Sequence, residues 1–473
     1  MTKNIIIASL IALAIIELAG CASSRGVSNG ISGFNLGGNT NLSTSEQPVN
    51  LRGFPNDPGF WQGSPGTIWS RLQSVSVEQL RSASVSDPNE AAWIKLALIS
   101  KQYNSQTSQL VSALTAWRAQ YPNHPGNALF PDGSVISGLE NSPHPKHIAL
   151  LLPLTGPLGA SGQIVRDGFM SAYYASPNKS QQTVSFIDTA KNPNIAALYA
   201  QAVAQGADTV VGPLTKENVQ SLSSQGSISV PTLALNYTNG YGSLPNNYYE
   251  FGLSPLDEAQ QLADKAKIAG HSRALLIATQ SEWGQRVAKT LTSRWQSEGG
   301  TIVDSMYFNN HTDLTKGTAG LLHIDADADR EQMKKENNKD LLAKQRRQDF
   351  DVIFLLAPPT SARQIVPLLK YYYAGNVPVY ATSVVYSGSP DPTKDSDLNG
   401  VTFSDTPWTL QNTAHPNRLF AVGRDAYLLS NEMSRLNKLP AFPLNGATGG
   451  LSLTPDHQIY RRLSWAQIRN GRP

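Results

Sequence analysis

A single cysteine, at position 21, serves the whole 473-residue chain. One thiol can build neither an intramolecular disulfide framework nor a thiolate zinc site, so the fold must rest on its core. Charge is scarce as well: Asp, Glu, Lys and Arg are 15% of the residues, and the net charge is +3 without a basic block. The clustered Lys and Arg of a nucleic-acid-binding surface are therefore missing. The 8 histidines are scattered with no HExxH pair, which argues against zinc hydrolysis. No Walker-type or dinucleotide glycine pattern follows a strand and opens a helix, so no nucleotide cofactor is expected. Long apolar runs are lacking too. The one candidate, Ile5 to Ile16, falls short of the ~20 residues a spanning helix needs. No catalytic residue, metal ligand or cofactor is expected from these absences.

What is present begins with that run. Lys3 gives a short basic start, and Leu18-Ala19-Gly20-Cys21 closes the apolar segment with small residues before the thiol. This pattern resembles a bacterial lipobox at all four positions, which makes residues 1–20 a lipoprotein signal peptide and Cys21 the lipidation site. Ala22 follows the cysteine, where an aspartate would argue for retention at the inner membrane, so the outer membrane is favoured. The plainer alternative is an ordinary secretory signal with a chance cysteine. Residues 21–66 are rich in Gly, Ser, Asn and Thr without apolar periodicity, and read as a flexible tether after the lipidated cysteine. A coil of about 45 residues has a reach of roughly 35–40 Å. Gly26 to Gly30 spells a nucleophile elbow by letters alone, but such an elbow needs a strand before it and a helix after it.

Residues 67–145 read as a short helical domain and linker. Ser76 to Gln79 and Asp87 to Glu90 carry capping-box patterns, the second with Pro88 at the first helical position. Ala92, Trp93, Leu96, Ala97 and Ser100 recur at helical spacing, as do Leu110, Ala113, Leu114 and Trp117 before Tyr121-Pro122. Paired helices with Trp, Ala and a terminal Tyr-Pro look like tetratricopeptide packing. Two or so pairs are fewer than such arrays need, so the piece is expected to lean on its neighbour.

From Lys146 the pattern turns to strands alternating with helices. His147 to Pro153 is a continuous apolar run, as a parallel strand buried on both faces should be. Strand and helix then alternate through Leu235, and a second series runs from Ala274 to Ala381. Repeated βα units imply parallel sheets with right-handed crossovers. Two series imply two parallel doubly wound lobes, with the first crossing between them near Gly252 to Asp257.

The stretches from His147, Val211 (VGPLTKENVQSL) and Trp283 resemble the bilobal type I periplasmic-binding-protein fold. The run Arg347 to Tyr386, then Asp397 to Trp408, Gly446-ATGGLSL and Arg462-LSWAQI are sharper. Together with the lipobox and Tyr121-Pro-Asn-His-Pro125, they resemble the LppC-type lipoproteins, a family of penicillin-binding protein activators. The resemblance covers residues 146–473, and the helical domain is shorter than the family's helical array. It implies an outer-membrane lipoprotein, without a reaction of its own, that stimulates a class A penicillin-binding protein in peptidoglycan synthesis. By analogy with the fold, 147–251 and about 409–444 form one lobe, and 252–400 with 445–470 the other.

The alternative function is a receptor for a small molecule, an amino acid or muropeptide, since the same fold closes on ligands. Its cleft candidates follow predicted strands: Thr155, Gly156, Ser161, Gly212, Pro213, Asn236 and Trp283. Against this, loops of these residue types turn and cap the chain whatever a cleft holds. Asp325-Ala-Asp327-Ala-Asp329 mimics a calcium loop, but Arg330 stands where the turn glycine belongs. Asp325 to Arg347 is instead expected to be a solvated helix. At least one ring of Tyr371-Tyr372-Tyr373 is expected in the core.

Overall fold

Pro65 behind a Ser64 cap starts the first helix, α1 (Pro65–Ser74), and the same logic of proline at the first helical position recurs along the chain. The computed structural model describes residues 54–139, 144–238, 244–325, 346–411 and 416–473. The leader, Cys21 and most of the proposed calcium-like stretch lie outside them. Two units divide the described chain: one runs to Leu253 and takes Arg418–Arg462, the other holds Ser254–Asn417 and Leu463–Pro473.

The helical region of the first unit holds α1, α2 (Val77–Ser82), α3 (Pro88–Gln102) and α4 (Thr107–Gln120). Ser76 and Gln79 close a reciprocal capping box before α2, whereas Asp87 accepts from the amide of Asn89. Leu96, Leu110, Leu114 and Trp117 fill the centre, and the Trp117 indole donates to the Ala92 carbonyl at 3.0 Å. Ordered structure starts earlier than the tether boundary at 66 predicted. Asp57 caps a 3-10 turn, Pro58–Trp61, and Phe54 and Trp61 pack around the buried Phe60. Aromatic residues inside a glycine- and proline-rich stretch supply burial that average composition hides.

The sheet of this unit follows: β1 (His147–Leu152), α5 (Gly159–Ala175), β2 (Thr183–Asp188), α6 (Ile195–Ala204), β3 (Thr209–Val211), α7 (Lys216–Ser223), β4 (Thr232–Ala234) and β5 (Tyr248–Glu250). All five strands pair in parallel, in the order β2-β1-β3-β4-β5. Ile148, Leu150 and Leu152 pack into one face while Ala149 and Leu151 pack into the other, the two-residue period of a strand buried on both sides.

The second unit carries α8 (Pro255–Ile268), β6 (Arg273–Thr279), α9 (Glu282–Ser297), β7 (Thr301–Phe308), α10 (Leu314–Leu321), β8 (Val352–Leu356), α11 (Pro359–Tyr371), β9 (Val379–Ala381) and β10 (Thr402–Asp405). Tyr372, just past α11, is buried in its core, as one ring of the tyrosine triplet was expected to be.

The chain then returns to the first unit through α12 (Arg418–Lys438), β11 (Leu444–Asn445), β12 (Gly450–Leu453) and β13 (Ile459–Arg462). Helices α5 and α12 touch backbone to backbone: a Cβ at Gly168 would lie 2.0 Å from the Phe420 carbonyl oxygen, and one at Gly423 2.0 Å from that of Val165. Finally β14 (Ser464–Gln467) joins the second sheet antiparallel to β10, giving the order β14-β10-β9-β8-β6-β7. The expected lobe boundaries need correction here. Residues 409–417 stay in the second unit, and 445–462 stay in the first, because Leu444, Leu451, Leu453 and Ile459 bury their side chains with β1 and α12.

Candidate functional site

Ligands of doubly wound sheets sit beyond the carboxyl ends of the strands, where the strand order reverses. In the first unit that place is the pair of loops after β1 and β3. Six of the seven predicted cleft residues, Thr155, Gly156, Ser161, Gly212, Pro213 and Asn236, stand after β1, β3 and β4 at this edge of the sheet. The seventh, Trp283, belongs to the other unit, where it is the second residue of α9 and packs partly buried against that core.

The loop after β1 is organised by a residue that sequence reasoning missed. Asp188, at the end of β2, accepts from the Thr155 hydroxyl at 2.7 Å, and from the amides of Leu154 and Ala190 at 2.9 and 3.1 Å. Desolvation pushes its carboxyl upward, but the hydrogen bonds from Thr155, Leu154 and Ala190 outweigh that and hold it below the usual range. A carboxylate so held is a weak base at neutral pH, so this pair fixes a loop and does not activate a nucleophile. Gly156 turns the chain at φ +70°. Ser161 lies buried in the first turn of α5.

The loop after β3 is equally committed. Gly212 has φ +105°, and a Cβ there would lie 2.1 Å from the Leu151 carbonyl oxygen; its bond to Pro213 is cis. The Asn236 side chain donates to the Leu214 carbonyl at 3.1 Å and accepts from the Tyr237 amide at 2.9 Å. Polar atoms predicted to meet a ligand thus hold the loops that carry them.

Two family-like motifs also resolve into structure. Asp425 on α12 is buried beneath the Gly446–Gly450 stretch and accepts from the Ala447 amide, the Thr448 amide and the Thr448 hydroxyl at 2.6, 2.7 and 2.6 Å. Burial raises its carboxyl to about 6 against the pull of those bonds and of Arg461. A Cβ at Gly446 would come within 2.5 Å of this carboxylate, and Gly449 adopts φ +145°, so both glycines serve the clasp. His124 of the Tyr-Pro-Asn-His-Pro stretch is buried between Trp93 and Trp117, edge to face. Its Nδ1 accepts from the Gly126 amide and its Nε2 faces the Asn89 carbonyl, both at 3.0 Å. That pattern fixes the neutral tautomer, and burial lowers the ring's pKa despite the Asn89 contact.

Among the described residues no group of three or more His, Cys, Asp or Glu could hold a metal ion, and no helix is long and apolar enough to cross a membrane. Of the Asp325-Asp327-Asp329 series only Asp325 is described.

Residues 62–471 match the family described as LppC putative lipoprotein. Over 430 residues the chain is 28% identical to the penicillin-binding protein activator LpoA of Photobacterium profundum, spanning 86% of this chain and 69% of that relative. Full-length LpoA from Haemophilus influenzae superposes with a TM-score of 0.59 at 28% identity, covering 86% of this chain and 72% of that one. The C-domain of the same protein, described as a regulator of PBP1A, gives 0.54 at 29% identity and covers 69% and 98%. A putative branched-chain amino acid ABC transporter protein from Chromobacterium violaceum gives 0.54 at 26% identity, covering 68% and 100%.

Proposed function

The chain belongs to the LppC family of putative lipoproteins, and on that footing we propose that it activates a class A penicillin-binding protein, a bifunctional peptidoglycan synthase. The observation that carries this reading is the extent of the similarity: 86% of this chain, its helical region and both α/β units, aligns with proteins named as penicillin-binding protein activators. Activation of this kind is a shift in the partner's populations. A tenfold preference for the active conformation supplies about 1.4 kcal/mol, and equal affinity for both conformations supplies nothing. The protein contributes a binding surface to that shift and no covalent chemistry, in keeping with loops whose polar atoms are already spent.

Cys21, in the lipobox-like stretch, would carry the acyl chains that hold the protein to the periplasmic side of the outer membrane. Residues 22–53 would act as the tether, and the helical region from Phe54 to Leu139 as a base for the sheet of its own unit. The test is reconstitution. The full mature chain carrying Cys21→Ser is added to each purified class A synthase of its host, and glycan polymerisation and cross-linking rates are measured. A rise in either rate with one synthase supports the reading; unchanged rates with all of them refute it. Fractionation of cells with and without Cys21→Ser checks the anchor.

A second reading, as a receptor for an amino acid or a muropeptide, draws on the similarity to the Chromobacterium violaceum transporter protein. Calorimetric titration with free amino acids and muropeptides discriminates it, since a regulator surface gives no saturable heat.

A further inference from the structure

The outermost strand of a sheet presents a row of backbone groups that no further strand takes up, and folded proteins blunt such edges with charge, proline or a bulge. In the second unit β7 is blunted twice over. Val303 is an extra residue in its pairing with β6, a bulge between Ile302 and Asp304, and Asp304 is ion-paired with Arg347 at 2.8 Å. The equivalent strand of the first sheet, β2, has neither device. It pairs with β1 without a register shift over all six residues, and Thr183-Val-Ser-Phe-Ile-Asp188 holds no Lys, Arg or Pro. Its one charge, Asp188, is committed to the loop after β1.

Alternation along the strand fixes which backbone groups point outward. The Thr183 and Thr189 amides donate inward, to the Lys146 and Leu152 carbonyls. Val184, Phe186 and Asp188 therefore turn their N–H and C=O groups away from β1. At the two ends the outward carbonyls are already engaged: that of Gln182 accepts from the Tyr173 hydroxyl at 3.0 Å, and that of Asp188 from the Lys191 amide at 3.3 Å. Among the described residues no strand pairs with this side of β2, so Val184 and Phe186 keep both groups open. Phe186 is 43% exposed, and Tyr174, whose ring lies 5.3 Å from that of Tyr173 beside the start of β2, is 63% exposed.

An open edge takes a strand, and this one is complementary to itself. Two antiparallel copies of β2 join open residue to open residue in one register alone, with Val184 opposite Phe186 of the second copy and Ser185 opposite Ser185. Centring the pair on Val184 or on Phe186 would instead set a spent end, Gln182 or Asp188, against an open residue. We propose that β2 is the edge through which two copies of this chain pair, into one sheet continuous across a two-fold axis. Each Val184–Phe186 pair exchanges both of its N–H···O bonds. On one face an aromatic ring covers a β-branched side chain, and no like charges are opposed. The pairing does not depend on the activator reading and would hold if that reading failed.

Sedimentation velocity on the full mature chain carrying Cys21→Ser, over a concentration series from low micromolar upward, should show a dimer that grows with concentration. Phe186→Lys puts a charge on the edge, and Phe186→Pro removes an outward N–H that β1 does not use. Each should raise the dimer Kd by about tenfold or more, while Tyr307→Lys on the blunted β7, where the ring is 42% exposed, leaves it unchanged. Cross-linking reads the register. Cys21→Ser with Ser185→Cys holds a single thiol, and the paired copies bring its Cα atoms to about 4.5 Å, within reach of a disulfide. Diamide oxidation should therefore link them, and should link Thr183→Cys, which faces Ile187 in that register, far more slowly. A chain that stays monomeric throughout the series overturns the proposal, including the case in which a strand of another protein uses this edge. So does a dimer that survives Phe186→Lys, or one that does not cross-link through Ser185→Cys.

Discussion

Replacing Phe442 with alanine asks whether the helical region is a domain in its own right. Phe442 follows α12 in the chain, yet it is fully buried in the helical core, 5.1 Å from the Trp69 ring and 5.6 Å from that of Phe130. Leu439 joins it there, and the Trp69 indole donates to the Ala441 carbonyl at 2.6 Å. The core of α1 to α4 is thus completed by the end of a helix that otherwise packs on the sheet. Truncating a buried phenylalanine costs about 3–5 kcal/mol, the transfer term plus the cavity left behind. If helices and sheet unfold together, a unit of this size loses roughly 2–4 °C per kcal/mol, so the midpoint should fall by about 6–20 °C. Hydrogen exchange then reads which amides open. Those of α3 and α4 should lose protection most, because they lose a wall of their core, while Phe442→Leu, which nearly conserves volume, should cost under about 1.5 kcal/mol. A loss below about 1 kcal/mol for Phe442→Ala, or unchanged exchange in α3 and α4, would refute the shared core.

Three further perturbations address individual contacts. His124 has a folded pKa depressed by burial, so its contribution is present above about 6.5, the unfolded value, and is lost as pH falls below it. Urea midpoints at pH 8 and 5.5 should therefore diverge in the wild type and converge in His124→Gln. Asp425 works in the opposite sense. Its carboxyl is raised to about 6, so its stabilisation is complete below about 3.8 and is lost as pH rises through 6; relative to Asp425→Asn the wild type should gain stability between pH 7 and 4. Gly162→Ala would put a Cβ 2.0 Å from the Pro153 carbonyl oxygen, and the forced shift should cost about 1–3 kcal/mol or more in thermal melts. Gly226→Ala, with open space around it, should be nearly neutral in the same assay.

Long, continuously apolar strands were legible because burial on both faces leaves no other composition available to them. The run from His147 is legible for that reason and forms the strand His147–Leu152. Three-residue strands such as Tyr248–Glu250 carry no period to read, and their place comes from the neighbouring strand. The tether boundary failed at Phe54 to Trp61 because two or three aromatic contacts outweigh the surrounding glycine and proline. The lobe boundary failed at 445–462 for a different reason. A short antiparallel sheet can serve either unit, and what assigns it is tertiary contact: Leu444, Leu451, Leu453 and Ile459 are buried with β1 and α12, and Asp425 of α12 holds Ala447 and Thr448. Of the candidate site, position was legible and role was not. Strand ends could be counted, but whether Thr155 faces a ligand or Asp188 depends on a loop geometry that no local pattern encodes.

One regularity was available in the sequence and becomes visible only with both sheets in hand. Strand order β2-β1-β3-β4-β5 in the first unit is matched by β7-β6-β8-β9-β10 in the second, each counted from its own first strand. In the first, Asp208 immediately precedes β3 and accepts from the amides of Lys146 and His147 at the start of β1. In the second, Asp351 immediately precedes β8 and accepts from those of Ser272 and Arg273 at the start of β6. The helix after each first strand also opens with a glycine pressed on a carbonyl, Gly162 on Pro153 and Gly284 on Thr279. These pairs do the same work: an aspartate satisfies the orphan amides that begin a central strand, and a glycine lets the next helix lie against the strand's end. The two units are thus one plan used twice, and their asymmetry carries the information. Among the described residues, only the second sheet is closed on one edge by an antiparallel strand, β14, and only the first is joined by a helical region and a three-stranded sheet. β14 covers the edge of β10, and the segment before β13 covers that of β5 through the Glu250–Gln458 bridge, so the two sheets close their edges differently although their scaffolds are alike.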